Sequence, residues 1–241
     1  MSRHPIRTLL FDLDGTLLPM DQSRFMQAYL EAFAGKCIQL SLPVQLSLKA
    51  LDTGFKAMLA NDGSMTNEKR FWLEFSAVMG FPIDDRIADF ISFYHEEFTR
   101  LRVIAQMNPI SRQLVETVRA NGYRIVLATS PVFPRQGTLE RISWADLDPS
   151  WFEMITTYED FSYAKPSLGY YNEILSKLEL DPTQCLMVGN DVEEDLVARQ
   201  LGMDVYLVTD WLINRTGADI SDFKQGTLQE AFDYCSRLGV V

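Results

Sequence analysis

Short apolar runs alternate with helix-patterned segments along most of the chain, and this alternation constrains the fold more than any other feature. Three runs, 124–129, 184–188 and 204–208, are apolar almost throughout, which is typical of strands buried on both faces of a sheet. The alternation predicts an α/β fold with a parallel sheet built from crossover units. The other two predicted strands are 6–11 and 153–158, and the helices predicted between the strands are 109–121, 168–178 and 192–201.

Residues 18–105 break this pattern, because they contain helix-like stretches and no convincing strand. Segments 66–79 and 85–98 repeat apolar, mostly aromatic residues at helical spacing, which is typical of a helical core. We therefore predict two domains. An α/β domain is formed by 1–17 and 106–241, and an all-helical domain at 18–105 is inserted after the first strand.

The charge of the chain is strongly acidic, with 22 Lys and Arg against 33 Asp and Glu and a net charge of −11. Such a balance disfavours nucleic acid and anionic membrane surfaces as partners. Most of the excess lies in residues 150–241, which carry 6 basic and 16 acidic residues. Most of these carboxylates are expected to form a solvated surface, while a few could hold a cation.

Cysteine and histidine are scarce, which limits the kinds of site the chain can build. Cys37, Cys185 and Cys235 form no CxxC pair, so a disulfide scaffold is not expected. With only His4 and His95, a multi-histidine zinc site is excluded. No run approaches the roughly 18 apolar residues of a membrane span, and no secretion signal is recognisable. We expect a cytoplasmic protein.

Two carboxylates follow the first predicted strand directly, at Asp12 and Asp14, and Gly15 then allows a tight turn. Open α/β sheets bind their ligands at the carboxyl ends of their strands. Two carboxylates this close repel, so that one is protonated or a cation is bound. An aspartate can also act as a covalent nucleophile. The alternative is a solvated Asp-Gly turn.

A second acidic stretch follows the fourth predicted strand. Asp191 and Asp195 lie one helical turn apart and can share a face. Oxygen ligands from two strand ends are what Mg²⁺ uses when it also binds a substrate phosphate. Alternatively, Asp191 simply caps the following helix, with Glu194 as its capping-box partner.

A hydroxyl pair and a lysine complete the candidate residues. Thr129 and Ser130 end the second predicted strand, where hydroxyl and backbone N–H groups can bind an anionic oxygen. Lys165 precedes a predicted helix. A plain turn and a solvated lysine are the alternatives.

Together, the order of these motifs resembles that of the haloacid dehalogenase superfamily, with FDLDGTL over residues 11–17 as the strongest match. The resemblance covers about 1–17 and 106–241, and the helical stretch between them resembles that family's cap at its first insertion point. It implies a Rossmann-like core and a Mg²⁺-dependent phosphatase acting on a small phosphorylated metabolite.

Carried over residue by residue, the resemblance makes Asp12 the nucleophile and Asp14 the general acid and base. Thr129, Ser130 and Lys165 would bind the substrate phosphate together with Asp12. Asp12, the Asp14 carbonyl and Asp191 would bind Mg²⁺. Many family members read Gly-Asp where this chain reads Gly189-Asn190, so Asn190 is the alternative ligand, with Asp191 or Asp195 behind it.

Other functions of the same residues stay open at this point. A dehalogenase would need neither Asp14 nor Mg²⁺, whereas a phosphomutase shares all four motifs. A binding protein with a relic site is a third alternative. Arg135 and His95 are possible substrate contacts. The sequence does not predict the substrate or the oligomeric state.

Overall fold

A six-stranded parallel sheet forms the centre of the protein, in a computed structural model that describes residues 5–238. The strand order is β3-β2-β1-β4-β5-β6, and every neighbouring pair is parallel. The predicted α/β fold is thereby confirmed. The strands are β1 (Thr8–Phe11), β2 (Arg124–Leu127), β3 (Met154–Ile155), β4 (Cys185–Gly189), β5 (Asp204–Val208) and β6 (Lys224–Gly226).

Both faces of this sheet are buried, as the continuous apolar runs predict. Leu9 and Phe11 of β1 pack into one apolar cluster, whereas Leu10 between them packs into another. Successive side chains of a strand point to opposite faces, so the two clusters lie on the two sides of the sheet. Five helices come after residues 18–105 in the chain. They are α5 (Pro109–Ala120), α6 (Arg135–Trp144), α7 (Leu168–Leu178), α8 (Val192–Asp195) and α9 (Leu228–Ser236).

Several boundaries differ from the sequence predictions. The strand predicted at 153–158 is reduced to Met154–Ile155. The helix predicted at 192–201 is α8 followed by the 3₁₀ helix Leu196–Leu201, which ends at Gly202 with a φ of +96°. Strand β6 and helices α6 and α9 were not predicted.

Between β1 and α5 the chain is helical. Helices α1 (Gln22–Gln39), α2 (Val44–Leu59), α3 (Asn67–Met79) and α4 (Ile87–His95) are followed by the 3₁₀ helix Phe98–Ile104. No strand lies within 18–105, all of which the structure describes. The helix predicted at 85–98 is divided between α4 and the 3₁₀ helices on either side of it. The domain boundaries themselves stay a prediction.

The register of the sheet fixes which loops meet. Phe11 at the end of β1 pairs with Leu127 of β2 on one side and with Val188 of β4 on the other. The loops that follow β1, β2 and β4 therefore leave the same edge of the sheet side by side. In the part of the chain that the structure describes, no helix is long and apolar enough to cross a membrane.

Candidate active site

A cavity of about 210 Å³ opens where the β1, β2 and β4 loops leave the sheet, and we call it the strand-end cavity. The sequence-predicted residues that line it are Asp12, Asp14, Thr129, Ser130, Asn190, Asp191 and Asp195. Residues of α1, α2 and α6 close its other sides, among them Phe25, Leu59 and Arg141. Segments far apart in the chain thus meet at one point, as the strand order requires.

Lys165 lies buried beside this cavity, with its side chain 1% exposed. Its Nζ donates to Asp12 Oδ1 at 2.9 Å and to Asp195 Oδ1 at 2.7 Å. Burial by itself would lower the pKa of Lys165, but the two carboxylates hold that pKa well above its usual value. The lysine is therefore a fixed positive charge between two aspartates.

Asp195 fixes the position of Lys165 by accepting a hydrogen bond from its Nζ. It is fully buried, and its Oδ2 accepts a hydrogen bond from the backbone N–H of Asp191 at 3.0 Å. A Cβ at Gly189 would overlap the Asp195 carboxylate, so this approach depends on a glycine at the end of β4. Asp195 is thus a positioning residue for Lys165.

Asp12 is only 8% exposed at the end of β1. Burial raises its pKa to about 7, opposed by Lys165 and reinforced by Asp195 and Asp14. Its Oδ2 accepts a weak hydrogen bond from the Thr16 hydroxyl at 3.3 Å. Lys165 therefore binds one carboxylate oxygen of Asp12. The other oxygen has only this weak hydrogen bond, and Asp12 lines the strand-end cavity.

Arg141 of α6 is a functional candidate that the sequence motifs did not reveal. Its guanidinium, 1% exposed, forms an ion pair with Asp14 Oδ2 and lies 4.4 Å from the centre of the Phe133 ring. Asp14 Oδ1 is buried without a hydrogen-bond partner. Burial raises the pKa of Asp14, and the Arg141 charge opposes that rise. The sequence carries no signal for Arg141, because its buried neighbours on α6, Gly137 and Thr138, are not apolar.

The loop after β4 uses its two central residues differently. Asn190 Oδ1 accepts from the Thr16 hydroxyl at 3.0 Å, and the same hydroxyl also contacts Asp12.

Asp191 is the N-cap of α8, since its Oδ1 accepts from the N–H groups of Glu193 and Glu194 at 3.0 Å each. Its Oδ2 pairs with Arg215 at 2.7 Å. The helix-capping alternative for Asp191 is therefore confirmed, but its capping-box part is wrong, because the Asp191 backbone N–H donates to Asp195 rather than to Glu194.

Thr129 and Ser130 lie at the end of β2. The Thr129 carbonyl accepts hydrogen bonds from the Thr156 and Tyr170 hydroxyls, which fixes the strand end. The Ser130 Oγ is buried and has no hydrogen-bond partner in the structure. An oxygen of an anionic ligand could satisfy it. Neither Arg135, which pairs with Asp160, nor His95 lines the cavity.

The charges around the strand-end cavity fit a bound cation. Five carboxylates line it, whereas Arg141 is the one cation among the lining residues and Lys165 lies buried beside them. Both cations are already paired with aspartates. Burial raises the pKa values of Asp12, Asp14 and Asp191, and that of Glu194 rises to about 7. Yet no three acidic, histidine or cysteine side chains within residues 5–238 converge closely enough to hold a metal alone. A hard cation would need carbonyl, amide or water oxygens as well.

Comparisons with known proteins find relatives that span most of the chain. The pyrophosphatase PpaX of Bacillus pumilus is 25% identical over 205 residues, spanning 84% of this chain and 82% of that protein. The glyceraldehyde 3-phosphate phosphatase of Methanothermobacter thermautotrophicus is 23% identical over 225 residues, spanning 90% and 94%. The crystal structure of a 2-haloacid dehalogenase from Pseudomonas syringae shares the fold, with a TM-score of 0.65, 17% identity and coverage of 96% and 99%.

The match to a family model is the most direct of these findings. The model of the haloacid dehalogenase-like hydrolases matches residues 6–202, which contain β1 through α8 and all the residues of the strand-end cavity. The chain therefore belongs to the haloacid dehalogenase-like hydrolases.

Proposed function

We propose that this hydrolase is a Mg²⁺-dependent phosphatase that cleaves a small phosphorylated metabolite through an aspartyl-phosphate on Asp12. The observation that carries the proposal is the buried Asp12–Lys165–Asp195 arrangement, with Asp14 lining the same cavity. The names of two relatives, a pyrophosphatase and a glyceraldehyde 3-phosphate phosphatase, support phosphate chemistry.

Asp12 and Asp14 share the covalent chemistry in two steps. In the first, an Asp12 oxygen attacks phosphorus, the ester P–O bond breaks, and Asp14 donates its proton to the leaving alcohol oxygen. In the second, Asp14 accepts a proton from water, whose oxygen attacks the phosphorus of the aspartyl-phosphate. Inorganic phosphate leaves and the Asp12 carboxylate is regenerated.

Lys165, Thr129 and Ser130 bind the phosphoryl group. The fixed charge of Lys165 reduces the repulsion between the Asp12 carboxylate and the anionic phosphate. Ser130, with its unsatisfied hydroxyl, and Thr129 hydrogen-bond phosphoryl oxygens. Because these groups are buried before substrate arrives, little reorganisation is needed during the reaction.

The residues that would hold Mg²⁺ are Asp12, the backbone carbonyl of Asp14 and either Asp191 or Asn190. Bound there, the ion offsets negative charge on the phosphoryl oxygens. We favour Asn190, because its Oδ1 accepts from the same Thr16 hydroxyl that contacts Asp12, whereas Asp191 caps α8 and pairs with Arg215. Asp191 as a ligand stays a prediction.

Calorimetric titration with Mg²⁺ decides between these two ligands. We expect Asn190→Ala to weaken binding about 10- to 100-fold and Asp191→Asn to weaken it less. The opposite order would assign the ligand to Asp191. Arg215→Met serves as the control, because it removes the Asp191 ion pair but neither candidate ligand.

Hydrolysis of an aryl phosphate with and without Mg²⁺ tests the proposed activity. We expect turnover that chelation removes and added Mg²⁺ restores, with phosphate found on the Asp12 peptide after acid quenching. Heavy-oxygen water should place its label in the released phosphate. Transfer of unlabelled phosphate to a sugar would show a phosphomutase, and turnover unaffected by chelation would refute the metal requirement.

A further inference from the structure

An apolar groove adjoins the strand-end cavity on the side of the helical part of the protein. It has a volume of about 460 Å³ and lies between α1, α2 and the loop after β2. Four residues, Met26, Leu59, Val132 and Phe133, line both the groove and the strand-end cavity. A ligand held at Asp12 therefore lies next to the groove, with only these four side chains at the boundary.

Several large apolar side chains that line the groove are exposed to solvent. Met26 is 39% exposed, Leu30 38% and Leu59 51%, and all three line this one groove. Phe55, which is also at the groove, packs edge-on to Tyr29 and Phe133 and forms a firm wall. Exposed apolar side chains gathered in one depression are typical of a binding site.

The groove and the strand-end cavity differ in the number of charged residues that line them. Asp52 is the one charged residue that lines it, and its carboxylate pairs with Lys56 on the same helix at 2.6 Å. The cations of the strand-end cavity, Arg141 and Lys165, are both held by aspartates. A second anionic group on the ligand would thus meet carboxylates and no unpaired cation.

We propose that the groove binds the organic part of the substrate, so that the preferred substrates are phosphate monoesters of alkyl or aryl alcohols with no second anionic group. This proposal rests on the proposed phosphatase function. The phosphoryl group occupies the strand-end cavity, and the leaving alcohol lies against Met26, Leu59 and Phe133.

A series of n-alkyl phosphates from ethyl to hexyl tests the proposal, because all are esters of primary alcohols with similar intrinsic reactivity. We expect kcat/KM to rise about threefold for each methylene that enters the groove. Phosphoglycolate, which adds a carboxylate, should be a poorer substrate than ethyl phosphate. A flat series, or a preference for phosphoglycolate, would overturn the proposal.

Leu59→Asn and Leu73→Asn form a matched pair of variants. Both leucines are about half exposed, at 51% and 53%, on neighbouring helices, but only Leu59 lines the groove. The readout is the ratio of hexyl to ethyl phosphate turnover, which does not depend on the fraction of folded enzyme. We expect the ratio to fall at least about tenfold for Leu59→Asn. The Leu73→Asn ratio should match that of the unmodified protein; equal ratios in both variants would contradict the proposal.

Binding of the non-hydrolysable alkyl phosphonates separates this inference from the phosphatase proposal. Affinity that rises with chain length while no ester is hydrolysed would uphold the groove and refute the phosphatase. Hydrolysis of all esters, with phosphonate affinity independent of chain length, would refute the groove alone.

Discussion

The sheet edge and the helical segment bury different kinds of side chain. At the sheet edge, Asp12, Arg141, Lys165 and Asp195 are charged and at most 8% exposed. In the helical segment the buried side chains are mainly aromatic, and Phe25 of α1 contacts Trp144 of α6. Burying a charge is unfavourable unless a partner compensates it, whereas burying an aromatic ring is favourable.

The sheet edge therefore holds the candidate reactive groups, whereas the helical segment contributes mainly to stability. At the sheet edge, Lys165 lies between two aspartates, so removing Lys165 leaves two buried carboxylates without their cation. In the helical segment, Phe75 contacts Phe71, Trp72 and Phe90 and carries no reactive group. Substitutions of the proposed reactive groups, Asp12 and Asp14, should chiefly change rates, and substitutions in the helical core should chiefly change the free energy of unfolding.

The largest effect is expected for Asp12→Asn, which keeps the side-chain size but removes the nucleophilic oxygen. We expect aryl phosphate turnover to fall at least about 10⁴-fold. Asp219→Asn, at an exposed aspartate, is the control and should leave turnover unchanged. Steady-state kinetics, with thermal unfolding to verify folding, measures both. Retained activity in Asp12→Asn would show that Asp12 at the sheet edge is not the nucleophile.

A smaller loss is expected for Arg141→Met, which removes the charge beside Asp14. We expect kcat to fall about 10²- to 10³-fold. Without the guanidinium, the protonated form of Asp14 is favoured, so its pKa rises and the basic limb of the pH–rate profile moves to higher pH. Arg112→Met, at an exposed arginine paired with Glu116 and Asp146, should change neither quantity. An unshifted profile in Arg141→Met would make Arg141 a packing residue.

Gly189→Ala tests the close packing behind Lys165. The added methyl group displaces the Asp195 carboxylate, and we expect a loss of about 1–3 kcal/mol of unfolding free energy together with reduced kcat. Gly35→Ala is the matched control, because no atom lies within 4 Å of its added Cβ in α1. Urea unfolding should show that control slightly stabilised, by about 0.5–1 kcal/mol. Equal effects at both glycines would argue against the Asp195 contact.

The smallest effect on the chemistry is expected for Phe75→Leu in the fully buried helical core. The substitution conserves apolar character and should reduce the free energy of unfolding by about 1 kcal/mol. The kcat for an aryl phosphate should stay within about twofold of the unmodified value, since no catalytic group is touched. A tenfold fall in kcat would show that the two regions are coupled.

The sequence was informative where apolar runs end in polar motifs. Asp12, Thr129 and Asn190 follow strands whose apolar pattern is clear, so a site at the carboxyl ends of the strands could be predicted. The packing of Lys165 against Asp195 could not, because it depends on how β4 and α7 lie in space. Spacing along the chain also did not determine which of Asn190 and Asp191 faces Asp12.

Two of the missed elements, β6 and α6, lack a clear apolar pattern, whereas α9 buries Leu228, Ala231 and Cys235 at helical spacing and could have been predicted. Strand β6 reads Lys-Gln-Gly and is held at the sheet edge by backbone pairing with β5, which needs no apolar side chains. Helix α6 turns Gly137, Thr138 and Arg141 inward, so its buried face looks polar in the sequence. Arg141 could not be recognised as buried without the partner Asp14, which lies 127 residues earlier.

The strand order has a consequence for synthesis of the chain. Strand β1 is made early, yet it pairs on one side with β4, at Cys185–Gly189. Until that strand leaves the ribosome and pairs with β1, Asp12 has neither Asp195 nor the β4 loop beside it. Such long-range pairing forms late compared with local helices. The proposed site around Asp12 can therefore assemble only after β4 has been made, when the sheet is nearly complete.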